Sequence, residues 1–185
     1  MYKRQAQTLV LGHVGNFNAQ KNQVFLLDVL DQLLKVERNL KLYLMGDGTT
    51  RKSIMQIAND RGLSQYIVFT GSIQNVPDML QAMDLMLLPS LHEGLPLVAV
   101  EWQMMGLPCI LSDKITKECM FTDTVRFLPI DSAENWKNAI LESRTISGNR
   151  VDASEKAISA AKEIGYDLQE NAQKLQQYFE RGDNK

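Results

Sequence analysis

Cysteine is almost missing from this 185-residue chain: Cys109 and Cys119 are the only 2, and they lack the spacing of a metal site. Cys109 falls in an apolar run and reads as a small core residue. Neither sign of charge is in surplus, with 20 Lys and Arg against 22 Asp and Glu. No basic patch stands out, which argues against a nucleic-acid binder held by phosphate contacts. No apolar run is long enough to cross a bilayer. Met1-Tyr2-Lys3-Arg4-Gln5 has no apolar core behind its charges, so the start does not read as a secretory signal. Together these absences fit a reduced, cytoplasmic setting. No Asp-x-Asp motif follows a strand, and nothing resembles a Ser-His-Asp arrangement. The Gly-rich first turn lacks G-x-G-x-x-G, which weakens a dehydrogenase reading. There is no internal repeat and no low-complexity linker.

What is present is an alternation of strands and helices. Strands are expected at Thr8–Val14, Leu40–Met45, Tyr66–Thr70, Leu85–Leu88, Pro108–Leu111 and Val125–Leu128. Between them, helices are expected at Asn22–Val36, Thr49–Arg61, Val76–Met83 and Pro96–Met105. In the first, Val24, Leu27, Leu30, Leu33 and Leu34 recur at helical spacing. Further helices are expected at Ala133–Ser143, Asp152–Ile164 and Leu168–Arg181. This order predicts an α/β, Rossmann-like parallel sheet of about six strands with helices on both faces. The main domain is expected over 1–148. Helices at 149–185 are expected to pack back on it through Tyr166, Leu168, Leu175, Tyr178 and Phe179. In open parallel sheets, ligands bind beyond the carboxyl ends of the strands. Those ends carry the Gly-rich and polar loops Gly12–Asn16, Gly46–Gly48, Gly71–Ile73, Pro89–Gly94 and Ser112-Asp113.

One stretch dominates, Pro89–Gly106, reading PSLHEGLPLVAVEWQMMG. A strand, a tight turn and a helix follow in quick succession. Pro96 suits the first helical position, because its φ is preset and its missing N–H would be unpaired there. Leu97, Val98, Val100 and Met104 read as an apolar face. Free N–H groups and the positive helix end make such a turn an anion site. Glu93 precedes the helix, and Glu101 lies within it, where unpaired burial of a carboxylate would be costly. Carboxylates accept hydrogen bonds from neutral hydroxyls, so the segment suits a sugar nucleotide. A plainer reading makes Glu93 a cap and puts Glu101 on a solvated side. His92 reads as an exposed loop histidine.

HEGLPLVAVE resembles the E-x7-E signature of the family-4 retaining glycosyltransferases, which have the GT-B fold of two Rossmann-like domains facing a cleft. The resemblance covers roughly Val10 to Ser143. Gly46-Asp47-Gly48 matches a GDG turn, and Val68-Phe69-Thr70-Gly71 a V-x-F-x-G strand end. Ala82-Met83-Asp84-Leu85 with Leu88-Pro89-Ser90 matches an A-D-hydrophobic-PS run. Gly106-Leu107-Pro108-Cys109 with Ser112-Asp113 matches the stretch after the helix. The nearest likeness is to transferases of bacterial exopolysaccharide and capsule synthesis.

The resemblance implies a C-terminal, donor-binding half of such an enzyme, with a UDP-sugar as donor and no metal or cofactor. Transfer of a hexosyl unit with retention to a glycan or lipid-linked acceptor is implied. The N-terminal acceptor domain is expected to be absent, which would leave this domain inactive alone. Peripheral contact with the inner face of the membrane would come through that missing part. By resemblance, Lys21 reaches the donor diphosphate beside Gly15 and Asn16, and Glu93 accepts from a sugar hydroxyl. Glu101 accepts from the ribose, the N–H groups of Gly94, Leu95, Leu97 and Val98 meet sugar and phosphate, and Ser72 and Ile73 hold the base. The chain departs from the family at Asn16, where Arg is usual, and at Gln20, where some members have a second basic residue: Arg clamps phosphate with two donors, and Asn offers a neutral amide. A non-catalytic sugar-nucleotide module and a GT-B-like epimerase stay open as alternatives.

Overall fold

The computed structural model describes residues 8–144, 149–166 and 168–182, with side chains at 168–170, 174 and 180–182 left out. The expected boundary at 148 and the opening segment Met1–Gln5 lie outside the described residues. Strands β1 (Leu9–Val14), β2 (Leu40–Met45), β3 (Ile67–Gly71), β4 (Leu85–Leu88), β5 (Cys109–Ser112) and β6 (Val125–Leu128) form one sheet in the order β3-β2-β1-β4-β5-β6. Every neighbouring pair is parallel. This is a doubly wound order, and its direction of growth reverses between β1 and β4.

Successive side chains of a strand point to opposite faces, and here both faces are covered. Leu9, Leu11, Leu42, Leu44, Leu85 and Leu87 join one core with helices α1 (Gln23–Leu33), α2 (Arg51–Asp60) and α5 (Ala133–Ser143). Val10, Met45, Met86, Leu88, Cys109 and Leu111 join a second core with α3 (Val76–Gln81) and α4 (Leu97–Met104). Burial on two sides is why the central strands β1, β4 and β5 read as near-continuous apolar runs rather than alternating ones. Trp136 of α5 packs edge-on against Phe25 of α1, centroids 5.4 Å apart. Its indole N–H donates to the Pro129 carbonyl at 2.8 Å, so the buried ring carries no orphaned donor.

Several expectations are corrected. α1 starts at Gln23, because Asn22 takes a left-handed conformation (φ 51°) that Asn tolerates and a helix does not. Val24 then faces outward, 38% exposed, while Leu27, Leu30 and Leu33 are buried. Pro96 is the N-cap of α4 with extended ψ 94°, not its first helical residue. The buried stripe of α4 is Ala99, Val100, Trp102 and Gln103. Leu97 precedes that stripe in the first turn and is 61% exposed.

The C-terminal helices are α6 (Arg150–Glu163) and α7 (Leu168–Gly182). α6 starts earlier than expected because Asn149 caps it, accepting the Val151 N–H at 3.0 Å. Arg150 fastens it to the domain. Its Nη2 donates to the Leu80 carbonyl at 2.8 Å, and its Nη1 to those of Gln81 at 3.0 Å and Met83 at 3.2 Å. Nε donates to the Met105 carbonyl at 3.0 Å, so one guanidinium closes the ends of α3 and α4. Replacing Arg150 by Met keeps the stem and removes every donor. The expected loss is about 2–3 kcal/mol, read as a lower urea midpoint at unchanged slope. Tyr166 packs on Phe121 with centroids 5.9 Å apart. Leu175, Tyr178 and Phe179 of α7, by contrast, are exposed and do not pack back on the domain.

Candidate functional site

The carboxyl ends of β1 and β4 are neighbours at the reversal of strand order. The loop after β1 lies on a backbone scaffold from the loop after β2. The N–H of Gly15 donates to Met45 at 3.0 Å, that of Phe17 to Asp47 at 2.9 Å, and that of Thr50 to Phe17 at 3.1 Å. The Gly46 N–H in turn donates to Gly71 at 2.9 Å, tying in the end of β3. Ser72, exposed, and Ile73, half-buried against the second core, follow Gly71 there. The rim is therefore one hydrogen-bonded series of loops from β3 to β1.

From β1 the rim continues to β4. Asn18 Oδ1 accepts the Lys21 N–H at 2.9 Å and turns the chain toward α1. Gln20 accepts the Leu91 N–H at 2.8 Å and donates its side-chain amide to the His92 carbonyl at 2.9 Å. Asn22, instead of capping α1, donates to the Pro89 carbonyl at 3.2 Å. Lys21 Nζ lies 2.5 Å from Glu93 Oε1, with the two side chains 16% and 11% exposed. The hydroxyl of fully buried Ser90 donates to the same oxygen at 2.8 Å. Two donors on Oε1 hold the carboxylate in one rotamer and leave Oε2 without a partner among the described residues. The Glu93 loop is bridged on its other side to Ile115, after β5. Gly15 has a reason to be glycine: a Cβ there would sit 3.2 Å from Lys21 Cε and 3.3 Å from His13 Nε2.

The structure thus brings Lys21, Glu93, Gly15 and Asn16 to one rim, with exposed Gly94 and Leu95 beside them. Leu97 and Val98 occupy the first turn of α4, whose N–H groups lack intrahelical acceptors. Val98 is half-buried. Glu101 is exposed and off the buried stripe, so no burial has to be compensated there, which corrects the argument made from its apolar neighbours. His92 is exposed, and its carbonyl rather than its ring is engaged. Both cysteines are buried, and burial pushes their thiols up, as core residues require. Among the described residues no three His, Cys, Asp or Glu side chains are grouped to hold a metal. A cavity of about 440 Å³ lies elsewhere, beside Gln103, Thr124, Asn149 and Lys156.

Sequence reasoning gave no structural task to His13, Ser90, Gln20 or Gln23. His13 is fully buried in β1, and burial lowers its pKa from 6.5 to about 4, against the opposing effect of its bond to the Leu87 carbonyl. An imidazole inside an otherwise apolar strand was the available signal.

A family model described as "Glycosyl transferases group 1" matches residues 8–143. The "Putative glycosyltransferase EpsF" of Bacillus subtilis strain 168 is 30% identical over 168 residues, covering 90% of this chain and 43% of that protein. The "UDP-Gal:alpha-D-GlcNAc-diphosphoundecaprenol alpha-1,3-galactosyltransferase" of Escherichia coli is 30% identical over 118 residues, 61% of this chain and 30% of that protein. This chain therefore spans less than half the length of either relative. Among solved structures, Anabaena Alr3699/HepE in complex with UDP and glucose superposes with a TM-score of 0.79 at 19% identity, over 95% of this chain and 49% of that one. That likeness establishes the fold, a Rossmann-like α/β domain with a six-stranded parallel sheet.

Proposed function

The chain belongs to the glycosyl transferases group 1 family, and on that premise we propose that it is the donor-binding half of a family-4 retaining enzyme of polysaccharide biosynthesis. It takes a hexosyl unit from a UDP-sugar, and the complete enzyme passes it to a glycan or lipid-linked acceptor held by an N-terminal domain. The observation that carries this reading is the shared Oε1 of Glu93. A cation and a fixed carboxylate meet where β1 and β4 diverge, beside the positive end of α4. The complexes and names of relatives with UDP and UDP-galactose support the donor class.

In this reading Lys21 and the first turn of α4 stabilise the charge that grows on the leaving diphosphate. Gly15 and Asn16 line the phosphate path, joined by the N–H groups of Gly94, Leu95, Leu97 and Val98. Glu93 Oε2 is the oxygen that accepts from a sugar hydroxyl, Glu101 accepts from the ribose, and Ser72 and Ile73 meet the base. No metal or cofactor is assigned a role. Among the described residues no helix is long and apolar enough to cross a membrane. The reading places the enzyme in the cytoplasm, at the inner face of the membrane where a lipid-linked acceptor would sit.

The test is calorimetric titration of the chain with UDP and UDP-hexoses. UDP is expected to bind, and Lys21→Ala to weaken it about 10- to 100-fold, the worth of a charge-assisted hydrogen bond. Glu101→Ala is expected to weaken it by about tenfold. A folded chain that binds no UDP at millimolar concentration overturns the reading. One observation favours a second reading, a module that binds sugar nucleotides without transfer: Asn16 is neutral, and the Lys21 charge is already paired with Glu93. UDP-sugar binding without turnover in the presence of an N-terminal acceptor domain would establish that second reading.

A further inference from the structure

Beneath the Lys21–Glu93 pair runs a second, buried connection between the same two strands. His13 Nδ1 lies 2.9 Å from the Leu87 carbonyl in β4. Its Nε2 lies 3.3 Å from Gln23 Nε2 at the start of α1, and that same amide nitrogen donates to the Asn16 carbonyl at 2.9 Å. His13 and Gln23 are both fully buried.

The direction of every bond in this series follows from its two ends. The Leu87 and Asn16 carbonyls can only accept. The proton of a neutral His13 therefore sits on Nδ1 and leaves Nε2 as an acceptor. Gln23 must turn its amide nitrogen, with its two N–H groups, toward both His13 and Asn16. The opposite amide orientation would set oxygen against the Asn16 oxygen. It would also demand a proton on Nε2, leaving the Nδ1 lone pair facing Leu87. The arrangement leaves Gln23 Oε1 buried with no partner. An orphaned buried acceptor is unfavourable, so the two bonds made by the other end of the amide outweigh it.

The two layers differ in what a ligand does to them. A diphosphate competes with Glu93 for Lys21, so the upper link loosens as the site fills. The lower link uses two neutral, fully buried side chains and two backbone carbonyls already engaged by them, so it offers a diphosphate no charge to compete for.

Resting on the donor-site reading above, we propose that His13 and Gln23 are positioning residues, an uncharged tie that sets the gap between the Asn16–Lys21 loop and the strand end leading to Glu93. Neither touches the ligand. They act through the Asn16 carbonyl and the Leu87 carbonyl.

The experiment compares the native chain with Gln23→Met, which keeps the bulk and removes both donors, and with His13→Asn, which keeps a donor toward Leu87 alone. Nitrogen chemical shifts of His13 report its tautomer, amide hydrogen exchange reports the loop, and calorimetry with UDP reports the site. The native chain is expected to show the Nδ1–H tautomer. Both variants are expected to speed exchange at residues 16–21 by about tenfold or more, with β2 and β5 unchanged, and to weaken UDP by about tenfold. A proton on Nε2, or unchanged loop exchange in Gln23→Met, overturns the tie. UDP affinity equal in the native chain and in Gln23→Met overturns the positioning role. If the native chain binds no UDP while the tautomer and the loosened loop appear as expected, the donor-site reading fails and the tie stands as a device that holds the loop.

Discussion

Gly46→Ala is expected to destabilise the domain by about 4 kcal/mol or more, at the upper end of what single substitutions do. Two effects add. Gly46 has φ 136°, a region that L-residues occupy only under strain, worth about 1–3 kcal/mol. A Cβ there would also stand 2.2 Å from the Gly15 carbonyl oxygen and 3.0 Å from its carbon. These are backbone atoms and cannot rotate away. Nor can either segment retreat easily, because the Gly15 N–H is bonded to Met45 at 3.0 Å and the Gly46 N–H to Gly71 at 2.9 Å. Gly62→Ala is the control: φ is 68° and nothing lies within 4 Å of its Cβ position, so strain alone remains, about 1–2 kcal/mol. Urea midpoints of the two variants separate strain from collision, and equal losses would remove the collision from the account. Any Gly46→Ala molecules that stay folded must displace Gly15, over which the Lys21 stem lies. UDP binding is therefore expected to fall further in Gly46→Ala than in Gly62→Ala.

That coupling of a scaffold glycine to Lys21 also marks where sequence reading ended. The central strands were legible because strands buried on both faces are short apolar runs between turn residues, as in Leu85–Leu88; β2, LKLYLM, showed instead as an alternating one. Their alternation with helices carried the parallel sheet. The GDG turn was visible as a motif, but its task, to pass beneath Gly15 and Phe17, depends on a backbone contact that no side-chain pattern records. Glu93 came into view from its place before α4, and Lys21 through the family motif. That they share an oxygen with Ser90 did not, because the pair is separated by 72 positions. The task of Gln20 was not legible because its partners are the backbone groups of Leu91 and His92, which any residue supplies. Misreadings cluster on helices whose apolar residues surround the axis. α4 carries Leu97, Val98, Ala99, Val100 and Trp102 in near succession, so periodicity could not choose the face: Leu97, expected on the apolar face, is exposed, and Glu101 takes the solvated side that the plainer reading gave it. In α7 the amphipathic pattern was real, yet an apolar face shows only that something is to be covered, not that this domain covers it.

Between pH 7 and pH 4 the domain is expected to lose on the order of 3 kcal/mol of stability through His13 alone. The unfolded chain takes up the proton near 6.5, whereas burial holds the folded imidazole neutral down to about 4. Lys21 opposes its protonation, and Glu93 and the Leu87 carbonyl favour it. A group whose pKa is lowered by folding confers stability that is full above the unfolded value. That stability drains as pH falls toward the folded value, and no further loss follows below it. Surface carboxylates also titrate near the lower end, so the quantity to measure is a difference. Urea unfolding of the native chain and of His13→Asn at pH 7, 5.5 and 4 cancels what they share. The native chain should lose ground to the variant steadily across that interval; parallel curves would show that His13 is not held neutral. Order within the loss follows from the hydrogen bonds. A proton on Nε2 would set two donors face to face at Gln23, 3.3 Å apart, with the Lys21 charge nearby. The Asn16 carbonyl is held through that same amide. The loop at 16–21 should therefore gain exchange before the sheet unfolds, making acid loss of UDP binding an earlier event than acid unfolding.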